Sequence, residues 1–302
     1  MTINIRRLRV LAILIAVLVL GVVLLAFSYS DIGIARSVGT GGLPLPEPDV
    51  VALPESVVED AQELSAELFG EYQEKYDDFS SQLLAAYAEA RDKDFVVIFN
   101  SGGWGWNFLE SSPGWHSICT GIELELRNLG YDSLVLDYRR TEANLRGIID
   151  EGVEMITNYP SKAETLARRV EFLTKHVPNL KVIVAGESDG TVISGTVMDI
   201  LRDNPQVYSI QTGTPFWYKS TTEDRTLVVN NNGMYPDSFS QGDIPAMLWT
   251  SLQDLVGWPQ PVEKSGRVLY WLRAPGHDYR WQYPAVYYQI TNFLKENFGP
   301  EQ

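Results

Sequence analysis

The residue types needed for acyl transfer occur in this sequence in a usable order. Ser188 stands in Gly186-Glu187-Ser188-Asp189-Gly190, directly after the apolar residues 182–185. A serine hydroxyl becomes a nucleophile when a base takes its proton and a third group orients that base. A G-x-S-x-G match is weak by itself. It gains weight here because it ends a strand-like run and opens a helical one. The competing reading is a glycine-rich turn with a capping serine.

The base must come from three histidines. His277 follows the last strand-like run, in "RAPGHDYRW", which suits the order Ser, acid, His. His176 ends a helical stretch just before Pro178, where a cation favours the helix terminus. His116 sits in "SSPGWHSICTG", expected as a loop after the first strand and a candidate to line a binding crevice. Among acids between Ser188 and His277, Asp237 in "NNNGMYPDSF" follows a strand-like run and is preferred. Asp243 reads as a helix cap before Pro245, and Asp254 as a residue on a helix face; both remain alternatives. Asp278 adjoins His277, and adjacent side chains rarely meet in the required geometry. "NSGGWGW", residues 100–106, puts bare glycines at a strand end, where backbone N–H groups can face an oxyanion.

These residues need a scaffold. Strand-like runs cover residues 95–103, 133–139, 181–190, 207–213, 226–233 and 267–277, separated by helical stretches such as 163–176 and 191–202. Continuous apolar strands alternating with helices predict an α/β fold: a mostly parallel sheet of about six strands flanked by helices. The strand ends carry polar and glycine residues at one edge, where ligands bind in such sheets. Before residue 94, Ser56-Val57-Val58-Glu59 has capping-box spacing, and Val57, Ala61, Leu64 and Leu68 recur at helical intervals. Leu83, Leu84 and Tyr87 mark a second helix, so a helical N-terminal extension is expected.

The chain has 302 residues, 45% hydrophobic, and a net charge of −15. Such acidity repels phosphate backbones, so no nucleic-acid partner is expected. With one cysteine, Cys119, no disulfide can form within the chain. No ligand cluster suggests a metal, and no cofactor is expected.

Arg6, Arg7 and Arg9 precede an uncharged apolar run over residues 10–27, and Asp31 follows it. Its length and flanks predict a single-pass signal anchor with the N-terminus cytoplasmic and the remainder outside. A cleaved signal peptide with a poor site at Ala26-Phe27-Ser28 is the alternative. The expected organisation is a cytoplasmic N-terminus over 1–9, an anchor over 10–30, a Gly/Pro-rich linker over 31–55, and one domain over 56–302. Without the three arginines, −15 becomes −18, so the remainder is more acidic still.

Residues 94–298 resemble the α/β-hydrolase superfamily, on the strength of G-E-S-D-G at 186–190, "SGG" at 101–103 and "GHD" at 276–278. The resemblance implies Ser188 as nucleophile, His277 as base and Asp237 as orienting acid. It implies oxyanion donors from Gly103 or Trp104 and from Asp189. Asn100-Ser101 stands where many relatives have His-Gly. The two antiparallel N-terminal strands usual in that fold are not visible, and residues 214–225 offer only a short cover in place of a long lid. The implied activity is ester hydrolysis through an acyl-enzyme, with a small-molecule or lipid-like substrate. Trp104, Trp106, Trp115, Phe216 and Trp217 are expected in loops near strand ends, where an acyl chain or sugar ring could pack. Trp106, His116 and Trp217 are the named substrate-side candidates. A non-catalytic binding domain and a serine peptidase are the rival functions.

Overall fold

The computed structural model describes residues 53–300 apart from 71, 142–144, 220–224, 259–265 and 270–271. The predicted anchor and nearly all of the predicted linker lie outside the described residues. Among the described residues no helix is long and apolar enough to cross a membrane.

Two helices open the fold, α1 (Glu55–Phe69) and α2 (Gln73–Ala90). They are the expected extension, with one difference at the start. Helix α1 begins at Glu55 behind Pro54, with no side-chain cap, so Ser56 lies inside the first turn and forms no capping box. Alternating elements follow: β1 (Phe95–Asn100), α3 (Pro113–Asn128), β2 (Ser133–Tyr138), α4 (Leu145–Ile156) and α5 (Pro160–His176). Then come β3 (Lys181–Glu187), α6 (Gly190–Ile200), β4 (Val207–Thr212) and β5 (Thr226–Val229). The chain closes with α7 (Ser238–Gln241), α8 (Ile244–Leu255), β6 (Arg267–Leu269), β7 (Leu272–Arg273) and α9 (Pro284–Phe298).

β1 to β5 form one parallel sheet in the order β2-β1-β3-β4-β5. Helices cover both faces, and the side-chain alternation of a strand divides the core accordingly. Val96, Ile98, Val182 and Val184 pack toward one face, with residues of α1, α2, α5 and α6. Phe95, Val97, Phe99, Ile183 and Ala185 pack toward the other, with α3 and α9. Each such buried side chain contributes about 1.5–3 kcal/mol. This parallel sheet with flanking helices fits the α/β-hydrolase arrangement that was expected.

The expected sixth strand does not join the sheet. Residues 267–277 instead supply β6 and β7, which pair antiparallel with each other. Pro275 lacks an N–H, and Gly276 adopts φ +77°, so the chain cannot run on as a strand through His277. Arg273 N donates to Ser251 Oγ at 2.9 Å, tying β7 to α8.

The sheet order creates the site. The chain leaves β1 toward β2 on one side, then returns to β3 on the other. The connections after β1 and β3 therefore diverge, which makes their carboxyl ends the switch point where such sheets bind ligands. The register aligns Asn100 with Gly186 and Glu187 with Thr212, bringing these ends level.

Candidate active site

Only Ser188 and Asp189 separate the end of β3 from the start of α6. Ser188 has φ +51°, a left-handed conformation that costs a non-glycine residue about 1–3 kcal/mol. Its neighbours hold it there. Ser188 N donates to Thr212 O on β4 at 2.9 Å, and Thr191 Oγ1 donates to Ser188 O at 2.7 Å. A Cβ at Gly186 would lie 2.8 Å from Gly190 O, and one at Gly190 would overlap Asn100 O. Both glycines are thus required for the tight crossing of strand and helix. A Cβ at Gly102 would lie 3.0 Å from Ser188 Cβ, so the loop after β1 rests against this turn. Ser188 is 4% exposed, and its Oγ has no hydrogen-bond partner among the described residues.

Asp237 and His277 meet directly. His277 Nδ1 lies 2.9 Å from Asp237 Oδ2. The same carboxylate oxygen accepts from Tyr279 Oη at 2.6 Å and from Ser240 Oγ at 2.9 Å. Oδ1 accepts from the N–H groups of Phe239 and Ser240, so Asp237 also caps α7. Burial favours the neutral acid, but the facing imidazole and these donors outweigh it and hold the carboxyl below its ordinary value. Burial likewise works against a charged His277. The attraction of Asp237, Glu187 and Asp189 prevails and raises the imidazole above its ordinary value.

His277 and Ser188 are brought to the ends of the neighbouring strands β4 and β3. Ser188 N is bonded to Thr212 O, and a Cβ on the next residue, Gly213, would lie 2.5 Å from His277 Cε1. Gly213 adopts φ +67°, so the close approach and the backbone conformation both call for glycine. The Ser188 hydroxyl is not hydrogen bonded to the imidazole or to any other described group.

No family model matches this chain, and no curated protein matches it. Solved structures include two similar folds. One is a Trichoderma reesei cutinase in complex with a C11Y4 phosphonate inhibitor: 13% identity, TM-score 0.35, covering 59% of this chain and 77% of that one. The other is a cutinase-like protein from Cryptococcus sp.: 12% identity, TM-score 0.38, covering 69% and 96%. At these scores the likeness carries no argument about activity, which has to come from the site itself.

The other candidates fall as follows. Asp243 caps α8, accepting from Ala246 N at 3.1 Å, and Asp254 is exposed and paired with Arg273 at 2.8 Å. His176 closes α5 with Nε2 3.0 Å from Asp60 Oδ2. His116 lies exposed on the first turn of α3, not in a loop, because Pro113 starts the helix earlier than the sequence suggests. Trp115, on the same helix, is core: it packs on Phe99 and donates to Thr212 Oγ1 at 3.0 Å.

Trp104 and Trp106 stack at 6.0 Å, partly exposed beside the Gly103 turn. Trp217 is 46% exposed and meets Phe239 edge-on at 5.3 Å, while Phe239 meets His277 at 4.9 Å. A shallow apolar groove lies on α8, lined by Trp249, Leu252, Gln253, Val256 and Trp258; it includes neither Ser188 nor His277. Asp189 is buried, and desolvation raises its carboxyl to about 6 despite the opposing pull of Arg140 and His277.

Two positioning residues were not read from the sequence. Tyr279 is one; its place two residues after His277 was the available signal. Asn232 is the other. It is fully buried, and its Nδ2 donates to Gly276 O at 3.0 Å and Asp278 O at 2.7 Å, clasping the loop that carries His277. Asn232 was visible only as part of a polar strand end.

Proposed function

We propose that this chain is a serine hydrolase acting on carboxylic esters. The observation that carries the proposal is the buried contact between His277 and Asp237, set beside a serine held at positive φ. In this reading His277 Nε2 takes the Ser188 proton as Oγ attacks the ester carbonyl. The alcohol leaves with that proton, giving an acyl-enzyme. A water molecule, deprotonated by the same imidazole, then releases the acid. Asp237 holds the tautomer with its proton on Nδ1 and stabilises the transient imidazolium. Backbone N–H groups of Trp104 or Gly103 and of Asp189 receive the developing oxyanion, each worth about 3–4 kcal/mol of barrier.

Substrates of apolar acyl character suit the site. Trp217 and Phe239 extend from His277, and Trp104 and Trp106 flank the loop after β1. Negative charge at Glu187 and Asp189 beside the nucleophile disfavours anionic substrates. The apolar residues 10–27 behind Arg6, Arg7 and Arg9 support tethering of the domain outside a membrane by that segment.

The test is labelling of the protein by a fluorophosphonate probe, beside Ser188→Ala and His277→Ala. Labelling lost in both variants supports the proposal. A folded wild-type protein that neither labels nor hydrolyses esters supports the binding-domain reading, which the unpartnered Ser188 hydroxyl also favours.

A further inference from the structure

A buried ion cluster lies behind the loop that follows β1. Arg140, just past β2, is 2% exposed, and its Nε donates to Glu151 Oε1 of α4 at 2.7 Å. Glu151 Oε2 is bonded to Lys162 Nζ of α5 and to Thr141 Oγ1. Desolvating these ions is costly, and the attraction among them offsets that cost only when every member has its partners. Arg140 has spare donors once Glu151 is bound, and they reach the loop. One terminal nitrogen donates to Ser101 O and the other to Gly103 O at 2.7 Å, while Arg140 N donates to Gly105 O at 3.1 Å.

Three alternate carbonyls of one short loop thus face a single residue. All peptide bonds among the described residues are trans, and in a trans peptide the following N–H points opposite to the carbonyl. With Ser101 O and Gly103 O directed at Arg140, the N–H groups of Gly102 and Trp104 are directed away from it. Gly102 itself packs on the nucleophile turn, where a Cβ on it would lie 3.0 Å from Ser188 Cβ and 3.5 Å from Glu187 Cγ. The loop glycines permit this arrangement. Gly103 and Gly105 adopt φ +60° and +73°, and a Cβ at Gly105 would lie 2.5 Å from Arg140 Nε.

We infer that Arg140 is the positioning residue of the oxyanion site, its planar fork fixing the Trp104 N–H toward the space above Ser188. The inference rests on the serine-hydrolase reading. It adds that stabilisation of the oxyanion depends on a guanidinium that never touches substrate. Arginine is required because a bidentate fork can hold two carbonyls at a set separation, whereas an ammonium is a point donor.

The experiment compares wild type, Arg140→Lys and Gly105→Ala by circular dichroism, fluorophosphonate labelling rate, and kcat and KM on p-nitrophenyl butyrate. Arg140→Lys keeps the charge opposite Glu151 and loses the fork. The expected result is a folded protein with KM within about twofold of wild type and kcat lower by about 10- to 100-fold, the scale of a misplaced donor. Gly105→Ala keeps Arg140 but pushes on its side chain, and is expected to show the same split in milder form. It serves alone if Arg140→Lys fails to fold. A folded Arg140→Lys, or failing that Gly105→Ala, with kcat within twofold of wild type overturns the role of Arg140. So does a loss confined to KM. Wild-type protein without labelling or hydrolysis overturns the serine-hydrolase reading first, and this inference with it.

Discussion

Asp237 and His277 stand 40 residues apart in the chain and 2.9 Å apart in the fold, the carboxylate fully buried and the imidazole nearly so. The contact joins a helix cap to the 276–278 loop, which is held by Asn232 and packs on Pro236. It places an oriented imidazole against Gly213 at the end of β4, the strand beside the one whose end carries Ser188.

Asp237→Asn is expected to leave the protein folded, since an amide oxygen still caps α7. It would favour the wrong imidazole tautomer, and kcat is expected to fall by about 10³- to 10⁴-fold. Ester hydrolysis by the purified variant checks this. A loss below tenfold would indicate that another acid orients His277.

Activity and stability are expected to move oppositely with pH. His277 has a raised pKa, so its contribution to stability is complete below the ordinary histidine value and is lost as pH rises through the raised one. Asp237 has a lowered pKa, so its contribution is present above the ordinary aspartate value and is lost as pH falls through the lowered one. Catalysis needs neutral His277, so kcat/KM is expected to climb where melting temperature begins to decline. Parallel pH profiles of both quantities test it. Full activity well below the ordinary histidine range counts against His277 as the base.

Tyr279→Phe removes a 2.6 Å hydrogen bond to Asp237 and leaves the ring in place. A charged acceptor loses one donor, so a destabilisation of about 1.5–3 kcal/mol is expected, with a severalfold fall in kcat. Urea unfolding measures the first and steady-state kinetics the second. Unchanged stability would mean that water replaces the phenol.

Gly213→Ala places a methyl against His277 Cε1 at a backbone φ of +67°. Expected is a loss of kcat of at least about tenfold, because an imidazole displaced by an ångström no longer meets Ser188. Proton NMR of His277 in the variant would follow the displacement. Wild-type kinetics with an unshifted resonance would exclude it.

Glu151→Gln leaves Arg140 and Lys162 buried without their anion. Removing one partner of a buried ion network typically costs about 3–5 kcal/mol, so a clear fall in melting temperature is expected. A variant as stable as wild type would show that water reaches the cluster.

Much of the fold was legible because its signals are local. Runs such as "FVVIFN" and "KVIVAGE" are apolar throughout, as strands covered on both faces must be. The Gly-x-Ser-x-Gly turn was legible because strand–turn–helix geometry tolerates few other residues there. The sixth strand was misread because "RVLYWLRAPGH" has strand composition, while its partner is decided by where α8 and the β5 edge lie. His116 was misplaced for a related reason: Pro113 starts the helix, and its effect on the preceding loop is not a periodic signal.

By itself the sequence determined the candidates: one serine in a glycine-flanked turn, three histidines and a choice of acids. It also determined the alternation of strands and helices that puts their loops at one edge. Which acid meets His277 was decided only by tertiary structure. Asp237, Asp243 and Asp254 have equivalent chemistry, and all three begin or occupy short helical segments. Packing of the 276–278 loop against Asn232 and Pro236 leaves just one of them facing the imidazole. The role proposed for Arg140 was likewise invisible in the chain, because its partners come from separate segments: Ser101 and Gly103 from the loop after β1, and Glu151 from α4. Residue type and local order set what chemistry is available, and long-range packing sets which groups are close enough to perform it.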